Sequence, residues 1–399
     1  MTASTTIIGE RRDAALQRAQ AMGRHPSRRQ QEVRSSAPST AFYVIAVTAT
    51  VLTLLGLVMV LSATSISEVH KGNSPFRIFN RQVVWALLGA LGLAVAMKTP
   101  TRRWRAFAMP AFVLAAVLML LPFVPHVGAS VNGARSWVAV GPLTFQPSEF
   151  MKLALLVAIA SVMADRQHET DPAARGLGRV LLLTALACAI CLVQGDLGSA
   201  IVLAAVGASV AFVAGAPLLP LGVAGAAGLL GAGVLAAASG RRRNRFVAFL
   251  DCEANSHDLC YQTYQAMIAT AQGGITGSGV GQGHSKLGEL VPLAHSDFVF
   301  AVVAEELGII GVIAVLGGFL ALAYGGVQVA LAASQPFHRL LAGGIVGWFM
   351  VQALINVGGV TGLLPVTGLT LPFISAGGSS LFVTLVATGI LLNLARNDR

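Results

Sequence analysis

Asp297 stands where a polar, glycine-punctuated stretch turns into the apolar run Phe298-Val299-Phe300-Ala301-Val302-Val303-Ala304. A carboxylate at such a border can take a proton as a general base. It can equally cap a helix, as can its neighbour Ser296. Glu305 and Glu306 follow inside the apolar run. Asp297 and Glu305 are separated by roughly 12 Å along a helix, so they cannot share one small reacting atom. Carboxylates in a spanning helix are costly unless paired or wetted, so at least one of the two is expected to face a polar cavity. Upstream lie Arg241, Arg242, Arg243 and Arg245, four guanidinium forks in five positions. Such forks suit phosphate, and a snorkelling cluster at a helix end is the plainer alternative. Glu149 and Lys152 are three apart and share a helical face, either as an internal ion pair or as lining of the same cavity.

Gly273, Gly274, Gly277, Gly279, Gly281 and Gly283 match no phosphate-binding fingerprint in order or context. They could offer N–H groups to an anion or form a mobile segment, and the sequence does not choose. Cys188 and Cys191 fall in an apolar stretch, where free cysteine behaves as a small hydrophobe. Cys252 and Cys260 share one polar loop and could form a disulfide in an oxidising compartment. No His/Cys cluster has zinc-ligand spacing.

The elements that position these residues are apolar. Of 399 residues 55% are hydrophobic and 11% charged, against about 25% charged in soluble domains. In a bilayer core only helices or closed barrels satisfy the backbone, and long apolar runs without strand-like alternation select helices. The expected fold is an all-α polytopic bundle of about ten transmembrane helices, near 42–61, 82–97, 107–124, 147–163, 180–193, 199–214, 218–238, 298–324, 340–356 and 373–394. A large extracytoplasmic loop, 241–296, joins helices seven and eight. Residues 1–40 read as a disordered basic tail with seven arginines and no lysine, ahead of a membrane domain over 41–396. The formal charge of +10 therefore marks cytoplasmic loops and not nucleic-acid binding. The tail is polar and the first apolar run long enough to span, which reads as no cleavable signal peptide. Both termini fall in the cytoplasm, and the arginines at 241–245 break the positive-inside rule.

Several blocks resemble the shape, elongation, division and sporulation (SEDS) family of peptidoglycan glycosyltransferases. The most specific is 356–380, with Gly362-Leu363-Leu364-Pro365-Val366-Thr367-Gly368-Leu369-Thr370-Leu371-Pro372-Phe373-Ile374-Ser375-Ala376-Gly377-Gly378-Ser379-Ser380. Asn132-Gly133-Ala134-Arg135, Gln146-Pro147-Ser148-Glu149 with Lys152, and His295-Ser296-Asp297-Phe298 with Glu305-Glu306-Leu307-Gly308 match further blocks in order. Gly368-Leu369-Thr370-Leu371-Pro372 and the opening span look more like the division branch than the elongation branch.

The resemblance implies polymerisation of lipid II at the outer face of the cytoplasmic membrane, at the division septum, with Asp297 as the essential aspartate. It makes Arg241, Arg242, Arg243, Arg245, Arg135, Lys152, Glu149 and Lys286 candidates for binding substrate and its diphosphate, with a divalent cation (Mg or Mn) as a further candidate for the charge. His295, Glu305, Glu306, Ser375, Gly377 and Gly378 are expected to shape the cavity or the structure around it. Expected partners are lipid II, the growing lipid-linked glycan strand, a class B penicillin-binding protein of the FtsI type and other division proteins. A lipid II flippase, an elongation-branch polymerase and a non-catalytic scaffold are the competing readings.

Overall fold

The computed structural model describes residues 39–131, 134–140, 143–165, 172–238, 240–257, 260–284 and 295–397. Residues 1–38 of the expected tail lie outside the described residues.

Helix α1, Thr40–His70, is opened by Ser39, whose hydroxyl accepts from the Phe42 amide. Helix α2, Arg77–Lys98, returns beside it, and the short α3, Thr101–Ala106, leads into α4, Ala108–Leu118. A 3-10 turn, Leu121–Phe123, then gives way to an antiparallel sheet of β1 (Gly128–Val131), β2 (Ala134–Val140) and β3 (Leu143–Phe145), in the order β1-β2-β3. Helix α5, Pro147–Ala164, starts on a proline whose missing N–H has no partner to lose there. Helices α6 (Pro172–Gln194), α7 (Leu197–Val213) and α8 (Leu218–Ala238) follow. The polar stretch then contributes α9 (Gly240–Leu250) and α10 (Tyr261–Gln272). Helices α11 (Val299–Ala332), α12 (Pro336–Val360) and α13 (Gly378–Asn397) complete the chain.

Seven of these helices are long and apolar enough to cross a membrane, and Ala108–Phe123, Leu197–Val213 and Leu218–Gly228 are shorter apolar stretches among the described residues. This is a multi-pass helical membrane protein. The core lies where α5, α11, α12 and α13 meet, while Leu87, Leu91, Leu182, Leu219 and Leu230 of the outer helices face outward. Helices α2 and α13 approach closely because Gly389 carries no side chain, and a Cβ there would run into the Leu93 backbone. Small residues allow such approach where no hydrophobic effect drives association.

Hydrogen bonds define the two ends of the bundle. At one end Ser39 Oγ donates to the Ala395 carbonyl, Asn393 to the Thr99 carbonyl, and Thr101 meets His338. This end also carries Lys98, Arg102, Arg103 and Arg105. The other end holds the small sheet, the 273–284 segment, Asp297 and the 362–376 turns.

The structure departs from the expected layout in three places. The connection between 128 and 145 carries a small three-stranded sheet on the helical bundle. The 241–296 loop contains two helices and lies partly outside the described residues. Helix α1 has 31 residues and α11 has 34, each longer than the roughly 20 that span a bilayer core, and α11 is broken at Gly308.

Candidate active site

Asp297 does not cap α11. Phe298 occupies the N-cap position and no side chain makes a cap bond there. The turn carrying Asp297 is held through its backbone instead. Asn356 Nδ2, on α12, donates to the Asp297 carbonyl at 2.8 Å and to the Leu369 carbonyl at 2.7 Å. Ala376 N donates to the His295 carbonyl at 2.9 Å. These bonds fasten the head of α11 to the 366–376 turns, and the Asp297 carboxylate is left for other work.

A narrow crevice of about 10 Å³, roughly the room one water needs, opens at this junction, lined by Asp297, Asn356, Val360, Val366, Thr367 and Gly368 among others. Gly368 has φ +74°, and a Cβ there would sit 3.6 Å from Asp297 Oδ2. Glycine adopts this left-handed conformation without penalty, and it leaves the space before the carboxylate open. Burial disfavours the ionised carboxyl and pushes Asp297 up to about 6, partly offset by the hydrogen bond from Ser296. His295 moves down to about 4 through burial and through Lys71 and Arg81 nearby, with Glu68 opposing. A carboxyl with its pKa brought toward neutrality suits a general base.

One helical turn from Asn356, Gln352 holds the other polar centre. Its Oε1 accepts from Lys152 Nζ at 3.1 Å and from Trp348 Nε1 at 2.8 Å, while its Nε2 donates to the Thr370 carbonyl at 2.8 Å. Lys152 is fully buried and pairs with Glu149 at 2.8 Å. The pair is thus an internal ion pair, connected to the Asp297 cleft through α12 and the 369–370 backbone. As placed, Lys152 reaches no open surface.

The glycines and serine of the last block pack this corner. Ser375 Oγ accepts from Leu371 N, and its carbonyl accepts from Gln82 Nε2. Gly378 lies against the Trp85 ring and Gly377 against Thr370, where side chains would collide or crowd.

Glu305 and Glu306 are both buried, and neither lines the cleft. Both carboxylates meet polar groups of other segments. Glu306 accepts from Ser62 Oγ of α1 at 2.6 Å, and Glu305 accepts from the His284 amide. The reason is a break in α11 at Gly308, where φ is +63°. The glycine-rich segment fills it. Ser278 N and Gly279 N donate to the carbonyls of Glu305 and Glu306, and Ile309 N donates to Gly274 O. Gly273 and Gly277 approach so closely that a Cβ would strike the 304–306 backbone. The glycines therefore complete the hydrogen bonding of a broken helix, which is neither of the two readings the sequence left open.

The remaining candidates lie apart. Arg135 is exposed on β2. Arg243 is exposed on α9, and the side chains of Arg241, Arg242 and Arg245 lie outside the described residues, as does Lys286. Helix α9 packs chiefly on α8, and α8 on α7, so the arginine helix is not gathered against Asp297. Cys252 and Cys260 form a disulfide with Cα atoms 5.3 Å apart. No three His, Cys, Asp or Glu side chains converge among the described residues, so these residues offer a resident divalent ion no ligand set.

Sequence reasoning missed Asn356, Gln352 and the cations Lys71 and Arg81. It also missed Asp196, which caps α7 through Ser199 N at 2.9 Å and accepts from Gln146 Nε2 at 2.7 Å. Amides in spanning helices were the available signal, since a polar group there needs partners.

The family model described as cell cycle protein (FtsW, RodA, SpoVE) matches residues 42–399. The chain belongs to this family. It is 41% identical over 353 residues to the probable peptidoglycan glycosyltransferase FtsW of Geobacter metallireducens, covering 88% of this chain and 94% of that one. It is 39% identical over 361 residues to the protein of the same name in Mycobacterium tuberculosis, covering 90% of this chain and 69% of that one. Among solved structures, a chain from a peptidoglycan synthase complex that coordinates polymerization and crosslinking superposes with a TM-score of 0.74 at 31% identity, over 91% of this chain and 98% of that one. The rod shape determining protein RodA of Thermus thermophilus superposes with a TM-score of 0.65 at 30% identity, over 89% of this chain and 96% of that one.

Proposed function

We propose that this family member is a peptidoglycan glycosyltransferase of the division branch, polymerising lipid II with Asp297 as general base. The observation that carries the reading is the uncapped Asp297 carboxylate in a cleft where burial brings it up to about 6. The names of the relatives support the reaction class.

Asp297 takes the proton of the 4-hydroxyl of the acceptor N-acetylglucosamine. The freed oxygen attacks the anomeric carbon of the lipid-linked N-acetylmuramic acid. A glycosidic C–O bond forms, the bond from that carbon to the diphosphate oxygen breaks, and the electron pair leaves with undecaprenyl diphosphate. The proton stays on Asp297 until solvent removes it. A diphosphate leaves without protonation, so the second carboxylic acid of glycosidases is not needed. Cations at the mouth stabilise the departing charge. Lys71 and Arg81, which already bear on His295, are candidates for that role. No step is routed through a metal ion.

Ten crossings follow if the three shorter apolar helices span beside the seven long ones. The basic loops gathered with Ser39 and Ala395 at one end of the bundle support a cytoplasmic placement for that end. Asp297 then opens at the outer face, at the septum. The partner is a class B penicillin-binding protein, a reading supported by the synthase complex that the fold matches.

The deciding experiment is polymerisation of lipid II by the purified protein in detergent, with and without that transpeptidase. Polymer formation is expected, and with no membrane to cross it separates an enzyme from a flippase. A well-folded preparation that makes none under either condition refutes the reading.

A further inference from the structure

Asn356 is 4% exposed, yet only half of its amide is used. Its Nδ2 donates to two carbonyls, those of Asp297 and Leu369. That pairing decides which end of the amide is nitrogen, because the flipped group would set three oxygens against one another. Oδ1 is therefore turned away from both carbonyls, and it has no donor within reach. A buried acceptor left unpaired costs about 1–3 kcal/mol. Gln352, one turn earlier on the same helix, shows the contrast. There both ends of the amide have partners. At Asn356 the fold supplies partners to the nitrogen alone.

A second observation points the same way. Asn356 lines the same cleft as Asp297. The facing wall is Gly368, which presents no side chain to the carboxylate. Asn356, whose buried Oδ1 is unpaired, and Asp297 are thus neighbours in the wall of one narrow cleft.

We propose that Asn356 Oδ1 contacts substrate, accepting a hydrogen bond from a hydroxyl of the acceptor sugar next to the hydroxyl that Asp297 deprotonates. The proposal rests on the glycosyltransferase reading. On an acceptor N-acetylglucosamine reacting at its 4-hydroxyl, the neighbouring hydroxyls are those at carbons 3 and 6. An amide oxygen cannot take the proton, so it orients. Because Nδ2 of the same planar group holds the Asp297 backbone, one side chain sets the positions of base and acceptor together.

The test uses the full chain, with its transpeptidase partner, in detergent. The donor is lipid II whose own glucosamine 4-hydroxyl is inverted, so that it cannot accept. The acceptors are native lipid II and its 3-deoxy and 6-deoxy forms. With the wild type, one deoxy acceptor is expected to lose about tenfold in kcat/KM, the scale of one neutral hydrogen bond. Asn356→Ala is expected to lose a similar factor on the native acceptor and less than twofold more on that deoxy acceptor. Gel filtration and melting select whichever of Asn356→Ala and Asn356→Ser is folded for the comparison. Equal use of all three acceptors by the wild type overturns the proposal without any variant. Equal losses on all three acceptors in the variant also overturn it, leaving Asn356 as a brace for the turn. Absence of coupling by the wild type with the native acceptor refutes the glycosyltransferase reading itself and takes this proposal with it.

Discussion

Two cationic regions of the molecule are built in opposite ways. Lys152 is sealed inside the bundle, its ammonium divided between Glu149 and Gln352, and Gln352 is tied in turn to Trp348 and Thr370. The four arginines at 241–245 ride on a helix that packs chiefly against one neighbour, itself held by α7. The first charge is immobile and linked by hydrogen bonds to the turn facing Asp297. The second sets four charges within five positions of a helix whose main packing is on a single neighbour. Catalysis needs charge whose position is settled beforehand, so local density of arginine is a poor guide to where chemistry sits. The number of partners fixing a polar group is the better guide.

The largest expected effect tests the fixed region at its reactive end. Asp297→Asn should reduce polymerisation by about 10²–10⁴-fold. It should not lower the melting temperature, because it removes a buried carboxylate and no cap. The wild-type rate should rise with pH through about 6 as the carboxyl ionises. Stability should run the other way. The folded state holds this proton more tightly than the unfolded chain does, so its contribution is full below the ordinary carboxylate range and is lost as pH rises to about 6. A pH–rate profile set beside melting curves checks both signs. Near-normal polymer from folded Asp297→Asn would remove the base assignment.

Next in size, Lys152→Met should cost about 3–5 kcal/mol by leaving the Glu149 carboxylate buried and unpaired. Adding Glu149→Gln should restore most of the loss. Detergent melting of the two single variants and the double variant reads the coupling. Strict additivity would mean the ion pair does not act as a unit.

Gly308→Ala should destabilise by about 1–3 kcal/mol through its positive φ alone, and by more because the added Cβ strikes the 275–277 backbone. Thermal unfolding measures it, and an unchanged midpoint would show that the break in α11 is not needed.

The smallest effect is expected on the loosely held side. Replacing Arg241, Arg242, Arg243 and Arg245 together by Gln should change the polymerisation rate less than tenfold, with a difference that fades as salt rises. A larger, salt-insensitive loss in folded protein would place the arm in the site and collapse the comparison.

Much of the scaffold was legible because it follows from solvent and from single residues. Pro147 announced the start of α5, and the apolar runs gave the helices. The 128–145 sheet went unread although Asn132-Gly133 is a strong two-residue hairpin signal and the register closes the turn there. In a chain dominated by apolar runs, three short strands carry little weight. Asp297 was legible because a carboxylate at a polar-to-apolar border is unusual. Whether it capped was not, since that depends on where α11 begins to within one residue. The site's other members, Asn356 and Gln352, come from a separate helix whose register against Asp297 only tertiary packing decides. The glycine segment was opaque for a similar reason, because its partners are backbone groups about 30 residues away and backbone groups leave no mark in sequence.

The break at Gly308 also bears on biogenesis. Residues 309–332 form an uninterrupted apolar helix of roughly 36 Å, enough to cross a hydrocarbon core of about 30 Å unaided. Residues 299–307 are too short to cross and carry two carboxylates, and their last carbonyls find donors in Ser278 and Gly279. Insertion and completion of the site are thus separate events. The first is governed by hydropathy, and the second waits for the segment after α10, already synthesised, to dock. Amide exchange at Ser278, Gly279 and Ile309 should slow as one unit once that docking is done. A chain altered only between 273 and 279 should cross the bilayer the correct number of times and still be an empty scaffold.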